Sequence, residues 1–306
     1  MQLFDLHCDT LFKANKNSDS IISNNYHFSL EKAIQYEGYT QVMAVWIPDE
    51  YRGKMAFELV NKCCQLLTNE LTKYSSFNKI DNFTEFSSSY NVVLSVEGGA
   101  ALGGCINNIE KLRKMGVRFL TLTWNGSNEI GDGILCKNPK GLTEFGKEAV
   151  PNLEKNGIII DVSHASEPLF WDVAKLAKKP FVATHSNSRE VCSNMRNLTK
   201  KQFEHICKTG GLVGLNFHKY FITDNGDADF SDLQKHLEYF LEHDGENVIA
   251  LGSDFDGAEM PACIKGAESM REFYNFLLSK NYNESLLKKI FYENAYSFCK
   301  RYDLNQ

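Results

Sequence analysis

Basic charge is what this 306-residue sequence most plainly lacks: 33 lysines and arginines face 39 aspartates and glutamates, a net charge of −6. Nucleic acid is thereby excluded as the main partner, because phosphate binding needs a basic face. Long apolar runs are missing too; none approaches the roughly 18 residues that cross a bilayer. The opening Met1-Gln2-Leu3-Phe4-Asp5 has neither the basic region nor the apolar core of a secretory signal. The closing Tyr302-Asp303-Leu304-Asn305-Gln306 does not resemble a lipid-anchor signal. A cytoplasmic protein with no membrane association is the expectation. The nine cysteines are scattered, odd in number and without a C-x-x-C pair, which fits reduced thiols and not a disulfide framework. There is no internal repeat, no low-complexity tract and no linker.

What is present is an ordinary globular composition, 43% hydrophobic and 24% charged, and a repeated alternation. Eight short apolar runs, at 3–6, 41–47, 92–96, 117–123, 157–162, 180–184, 212–217 and 248–252, read as strands buried on both faces. Amphipathic helices fall between them, at 56–73, 107–115, 144–156, from Ser166 onward, 200–208 behind a Thr199 cap, 231–242 and 268–278. A last helix at 285–302 is expected on the outside, and the Asn- and Ser-rich part of 12–40 reads as loop. Eight alternating units favour an α/β fold, a (β/α)8 TIM-type barrel occupying residues 1–306 as one domain. A doubly wound sheet would carry a Gly-rich phosphate turn after its first strand, and none is there.

In such a barrel the C-terminal strand ends converge on one face. The first run ends in His7 and Asp9, the third in Glu97-Gly98-Gly99, the fifth in Asp161-Val162-Ser163-His164, the sixth in Thr184-His185-Ser186, and the eighth in Ser253-Asp254-Phe255-Asp256. His7 and Asp9, two apart on a strand, would project together. Three imidazoles and at least three carboxylates on one rim point to a metal centre. Two divalent cations bring +4, which Asp9, Glu97, Asp254 and one hydroxide would balance. Glu97 has two oxygens and can bridge a pair of cations. Gly98 and Gly99 are expected where backbone passes close to the metals, Asp161 as an orienting or backbone-bonded carboxylate, and Asp256 in the turn before Gly257. Of the other histidines, His218 is the one placed to face the pocket. His205, His236 and His243 fall on helices.

Taken in order, Asp-Leu-His-Cys-Asp-Thr, Val-Glu-Gly-Gly, Ile-Asp-Val-Ser-His, Thr-His-Ser and Gly-Ser-Asp-Phe-Asp-Gly resemble the renal (membrane) dipeptidase family of the amidohydrolase superfamily. The resemblance spans essentially the whole chain, including Gly116 to Thr123 and Arg196-Asn197. It implies two zinc ions, for which manganese or iron would also suit the ligands, and hydrolysis of dipeptides, L,D-dipeptides among the candidates. By position, His7 and Asp9 match ligands of one metal, His164 and His185 ligands of the other, and Glu97 the bridge. Asp254 matches the catalytic acid/base, and Arg196 the arginine that holds the substrate carboxylate. The resemblance breaks at Trp124, where mammalian members carry a substrate-touching histidine. An indole N–H cannot accept a hydrogen bond, so Trp124 reads as a wall of the substrate pocket, with Asn125 or Asn128 as substitutes for the lost acceptor. The rivals are another hydrolase of the superfamily, acting on cyclic amides, lactones or phosphoesters, and a metal-binding scaffold without turnover. A homodimer is compatible with the sequence.

Overall fold

A computed structural model describes residues 1–86 and 89–304. Eight strands form the barrel: β1 (Gln2–Cys8), β2 (Gly38–Trp46), β3 (Tyr90–Glu97), β4 (Val117–Thr121), β5 (Ile159–Asp161), β6 (Val182–Ala183), β7 (Leu212–Leu215) and β8 (Ile249–Leu251). Each pairs in parallel with the next, and β8 returns to β1 through Asp5 and Leu251, so the eight strands close on themselves. A two-residue strand, Asn78–Lys79, pairs beside the start of β3. The fold is the (β/α)8 barrel that the alternation predicts.

Two apolar layers hold it. Phe4, Leu6, Val42, Val93, Phe119, Ile159, Val182, Leu212 and Ala250, drawn from all eight strands, fill the interior in one buried cluster. A larger cluster lies between strands and helices. Both faces of every strand are therefore buried, which is why the strands read as continuous apolar runs without alternation.

The chain's end differs from the single outer helix expected at 285–302. It is divided into Glu284–Lys288, a π-helical turn Lys289–Glu293 and Asn294–Leu304. Ala295, Phe298, Cys299 and Tyr302 of the last piece join the interior cluster, so this helix covers the barrel floor and does not lie along its side. Arg118, wholly buried, pins it there. Its guanidinium donates to both carboxylate oxygens of Asp303 (2.9 and 2.5 Å) and to the carbonyls of Gly157 and Asp81, and lies 3.9 Å over the Phe83 ring.

The segment 12–40, whose Asn- and Ser-rich part reads as loop, holds the helix Leu30–Ala33 and most of the helix Thr10–Asn17. Its organiser is far away in sequence. The buried carboxylate of Asp256 accepts from Thr10 Oγ1, Lys13 Nζ and the backbone N–H groups of His27 and Phe28. No helix among the described residues is long and apolar enough to cross a membrane.

Candidate metal centre

The rim opposite the floor is built strand by strand. β1 does not alternate to its end. Asp5 pairs with Gln41 but Cys8 pairs with Met43, so β1 carries one residue more than its partner. This bulge turns His7 into the barrel mouth while Leu6 stays in the interior. Asp5 locks the bulge, accepting from Ser253 N (2.8 Å) and Ser253 Oγ (2.5 Å). Beyond the strand end, Asp9 N donates to Phe255 O (2.8 Å) and Asp254 N to His7 O (3.1 Å). These crosslinks bring His7, Asp9 and Asp254 side by side.

Glu97 ends β3, in register with Thr121 of β4 and, through it, Asp161 of β5. Three imidazoles surround it. His7 Nε2 is 3.7 Å from Oε2, and His164 Nε2 and His185 Nε2 are 2.9 and 3.6 Å from Oε1. His7 Nε2 also lies 3.4 Å from Asp9 Oδ2.

Hydrogen bonds behind the rings fix two tautomers. Thr184 Oγ1 donates to Asp161 Oδ2 (2.7 Å), so at its 2.8 Å contact with His185 Nδ1 it accepts. His185 therefore carries its proton on Nδ1 and turns a lone pair outward on Nε2. His164 Nδ1 donates to Asn125 Oδ1 (2.9 Å), with the same result. Asp161, bonded to Thr121 Oγ1, Thr184 Oγ1 and the N–H groups of Ser163 and Thr184, is both the backbone-bonded carboxylate and the orienter that its sequence position suggests.

Burial holds His164 and His185 well below the usual imidazole range, in the neutral form. Burial pushes Glu97 well above the usual carboxylate range. It also depresses His7, but Glu97, Asp9 and Asp254 overcome that and raise the group to about 10. Lone pairs aimed at a carboxylate repel unless a positive charge lies between them. His7 Nε2, His185 Nε2 and Asp9 Oδ1 are buried without a hydrogen-bond partner. In each of two groups, His7–Glu97–His185 and His7–Asp9–Asp254, the donor atoms lie within 4.8 Å of one another. The donor set fits divalent cations. His7 is common to both groups, and His164 belongs to neither despite its short contact with Glu97.

Backbone strain concentrates here. His164, Asp254 and Asp256 have φ of 64°, 62° and 70°, in the left-handed region that L-residues avoid. The glycine that abuts the site is Gly257, where a Cβ would come 2.0 Å from Asp9 Oδ2 and 2.9 Å from Asp254 Oδ1. Gly98 and Gly99, expected beside the metals, instead make room for Ile47 and for Ile130 and Leu122.

A cavity of about 610 Å³ opens over the cluster, lined by Asp9, Glu97, His164 and Asp254 at its base and by Arg196 and Trp124 on its walls. The Arg196 guanidinium is buried, reaches His185 O (3.4 Å), lies 5.3 Å from the Phe221 ring and leaves Nε without a partner. Burial pulls it down to about 10, against the opposing effect of Asp254 and Glu97. Trp124 packs edge to face on Trp46. His218 lines the cavity, whereas Asn128 bonds Leu122 O and Ile130 N in its own turn. All eight side chains singled out from the sequence are thus at one mouth. Residues the sequence reading passed over include Asn216, which donates to Asp254 Oδ2 (2.9 Å), and Thr184 behind His185. Their signal was position: each is a polar residue at the end of an apolar run.

The profile of the membrane dipeptidase family (peptidase family M19) matches residues 1–304. An uncharacterised protein encoded 5′ of pqqA in Klebsiella pneumoniae is 33% identical over 213 residues, 66% of this chain and 79% of that protein. Dipeptidase 3 of Macaca fascicularis is 26% identical over 251 residues, 79% of this chain but 51% of its own length. Among solved structures, a metallopeptidase from Rhodobacter sphaeroides, liganded with a phosphinate mimic of the dipeptide L-Ala-D-Ala, superposes with a TM-score of 0.91 at 25% identity, covering 98% of this chain and 99% of that one.

Proposed function

The chain belongs to the membrane dipeptidase family, and from that premise we propose how it works as a metal-dependent dipeptidase. The observation that carries the reading is the ring of unpartnered buried donors, His7 Nε2, His185 Nε2 and Asp9 Oδ1, around Glu97. His7 and Asp9 would hold one cation, His164 and His185 a second, and Glu97 would touch both. Zinc is the metal that the imidazole and carboxylate donors favour. Bound there, such a pair supplies Lewis acidity and a water acidic enough to attack at neutral pH.

The protein's own groups do the rest. Arg196 faces the cavity with a buried planar fork, and pairs with the free carboxylate of a short peptide. That contact sets the register of the scissile carbonyl over Glu97. Asp254, fixed by Asn216, takes a proton from the attacking water and returns it to the leaving amine. His164 and His185 stay neutral because they are buried, and with their Nδ1 protons donated to Asn125 and Thr184 each turns Nε2 toward Glu97. Trp124 walls the pocket, and its indole N–H can donate a hydrogen bond there but cannot accept one.

Metal analysis of the purified protein, paired with turnover of a mixed L,L and L,D dipeptide set, tests this. Two equivalents of zinc and release of free amino acids are expected. Turnover of lactones or cyclic amides with none of dipeptides would overturn the reading.

A further inference from the structure

The cavity has a wall that the bond-breaking chemistry leaves unused. Arg196 lies on the loop after β6, and Trp46 ends β2, four strands away in either direction around the barrel. The ligand cluster sits between them. Trp46 stands edge to face with Phe12 (centroids 5.0 Å) and with Trp124 (4.9 Å), and Trp124 continues to His164 (6.3 Å). All three aromatic rings line the cavity and are half-buried, with apolar face still open to water. Lys13 and Lys16, on the helix that carries Phe12, line the same side. Lys13 is engaged by Asp256 (3.1 Å), and Lys16 is exposed.

This inference rests on the dipeptidase reading. A substrate whose carboxylate meets Arg196 and whose scissile carbonyl lies over Glu97 extends its N-terminal residue across the barrel, toward β2. We infer that Phe12, Trp46 and Trp124 form the subsite for the side chain of that N-terminal residue, and that they select bulky apolar or aromatic side chains over small and basic ones. Covering three half-wet rings with an apolar side chain removes area from water on both partners. Ring edges meeting ring faces give an aromatic side chain a further geometric match. The exposed Lys16 ammonium group repels an N-terminal lysine or arginine side chain entering the same arm, while Lys13 is balanced by Asp256.

The test is a series of dipeptides with one fixed second residue, Phe-Ala, Leu-Ala, Gly-Ala and Lys-Ala, run on the metal-loaded enzyme. The expected kcat/KM for Phe-Ala and Leu-Ala exceeds that for Gly-Ala by about tenfold to a hundredfold, with Lys-Ala below Gly-Ala. In Trp46→Ala and Trp124→Ala the Phe-Ala to Gly-Ala ratio should fall at least about fivefold, while the Ala-Phe to Ala-Gly ratio moves less than about twofold. Should either alanine variant fail to fold, Trp46→Leu carries the same comparison. Good turnover with no dependence on the first residue would overturn the subsite and leave the dipeptidase reading standing. No turnover of any dipeptide by metal-loaded enzyme would overturn that reading, and this inference with it.

Discussion

Asn216 donates its side-chain amide to Oδ2 of Asp254 across 2.9 Å, and the same amide reaches His185 O at 3.3 Å. One buried amide thus spans a proposed proton carrier and the strand end that presents a proposed ligand. Asp254 itself sits at φ 62°, a strained conformation that needs such support. Asn216→Ala is expected to lower kcat by about tenfold to a hundredfold with KM little changed, because it positions Asp254 without touching substrate. Asp254→Asn should lose about a hundredfold or more in kcat while retaining the metals, read by steady-state kinetics with metal analysis. Full turnover in Asp254→Asn would reject its role.

Arg196→Met should raise KM for free dipeptides by about tenfold to a hundredfold, the scale of a lost charge-assisted hydrogen bond. Dipeptide amides, which offer no carboxylate, should respond little to the same change. Equal losses on both substrates would remove Arg196 from the carboxylate.

Removing the metals should abolish activity and lower the melting temperature. Without cations, Glu97, Asp9 and Asp254 crowd three imidazoles in a buried site with unmatched donors. Chelation followed by calorimetry checks this. A chelated protein with unchanged melting temperature would show that no ion bears on the native state.

The wholly buried His236 links the Arg196 loop to its neighbours, accepting from Ser188 N (3.1 Å) at Nδ1 and donating to Ile222 O (2.9 Å) from Nε2. That arrangement requires the neutral ring, and burial lowers the group from 6.5 to about 4. The unfolded chain therefore binds the proton more readily. Stability from this group is complete above pH 6.5 and is lost as pH falls from there toward 4, on the order of 3 kcal/mol in all. Urea midpoints measured between pH 4 and 8 should fall on the acid side in the wild type, and less steeply in His236→Gln.

Arg118→Met should cost about 3–5 kcal/mol, since it leaves the Asp303 carboxylate without the guanidinium that it meets under the barrel. Replacing both, as Arg118→Met with Asp303→Leu, should recover part of that loss. Equilibrium unfolding of the three variants makes the comparison.

The barrel was legible because each strand is buried on both faces and announces itself as a short apolar run. The ligand positions were legible because strand ends share one rim. Less visible was how the chain aims those side chains. His7 faces the mouth through an inserted residue in β1, and not by simple alternation with Asp9. His164 and Asp254 depend on left-handed backbone that no residue type advertises there. The helix Thr10–Asn17 was missed because its anchor, Asp256, lies at the other end of the chain. Gly98 and Gly99 were expected where backbone passes close to the metals, yet their missing side chains make room for Ile47 and Ile130.

The floor helix, Asn294–Leu304, carries a consequence for biosynthesis. β1 must find β8 to close the cylinder, and the bottom stays unsealed until Ala295, Phe298 and Tyr302 arrive. His7 leaves the ribosome long before Asp254, and the helix that seals the interior emerges later still. A nascent chain stalled before residue 295 would leave the apolar interior of the barrel uncovered, the kind of exposed surface on which incomplete chains aggregate.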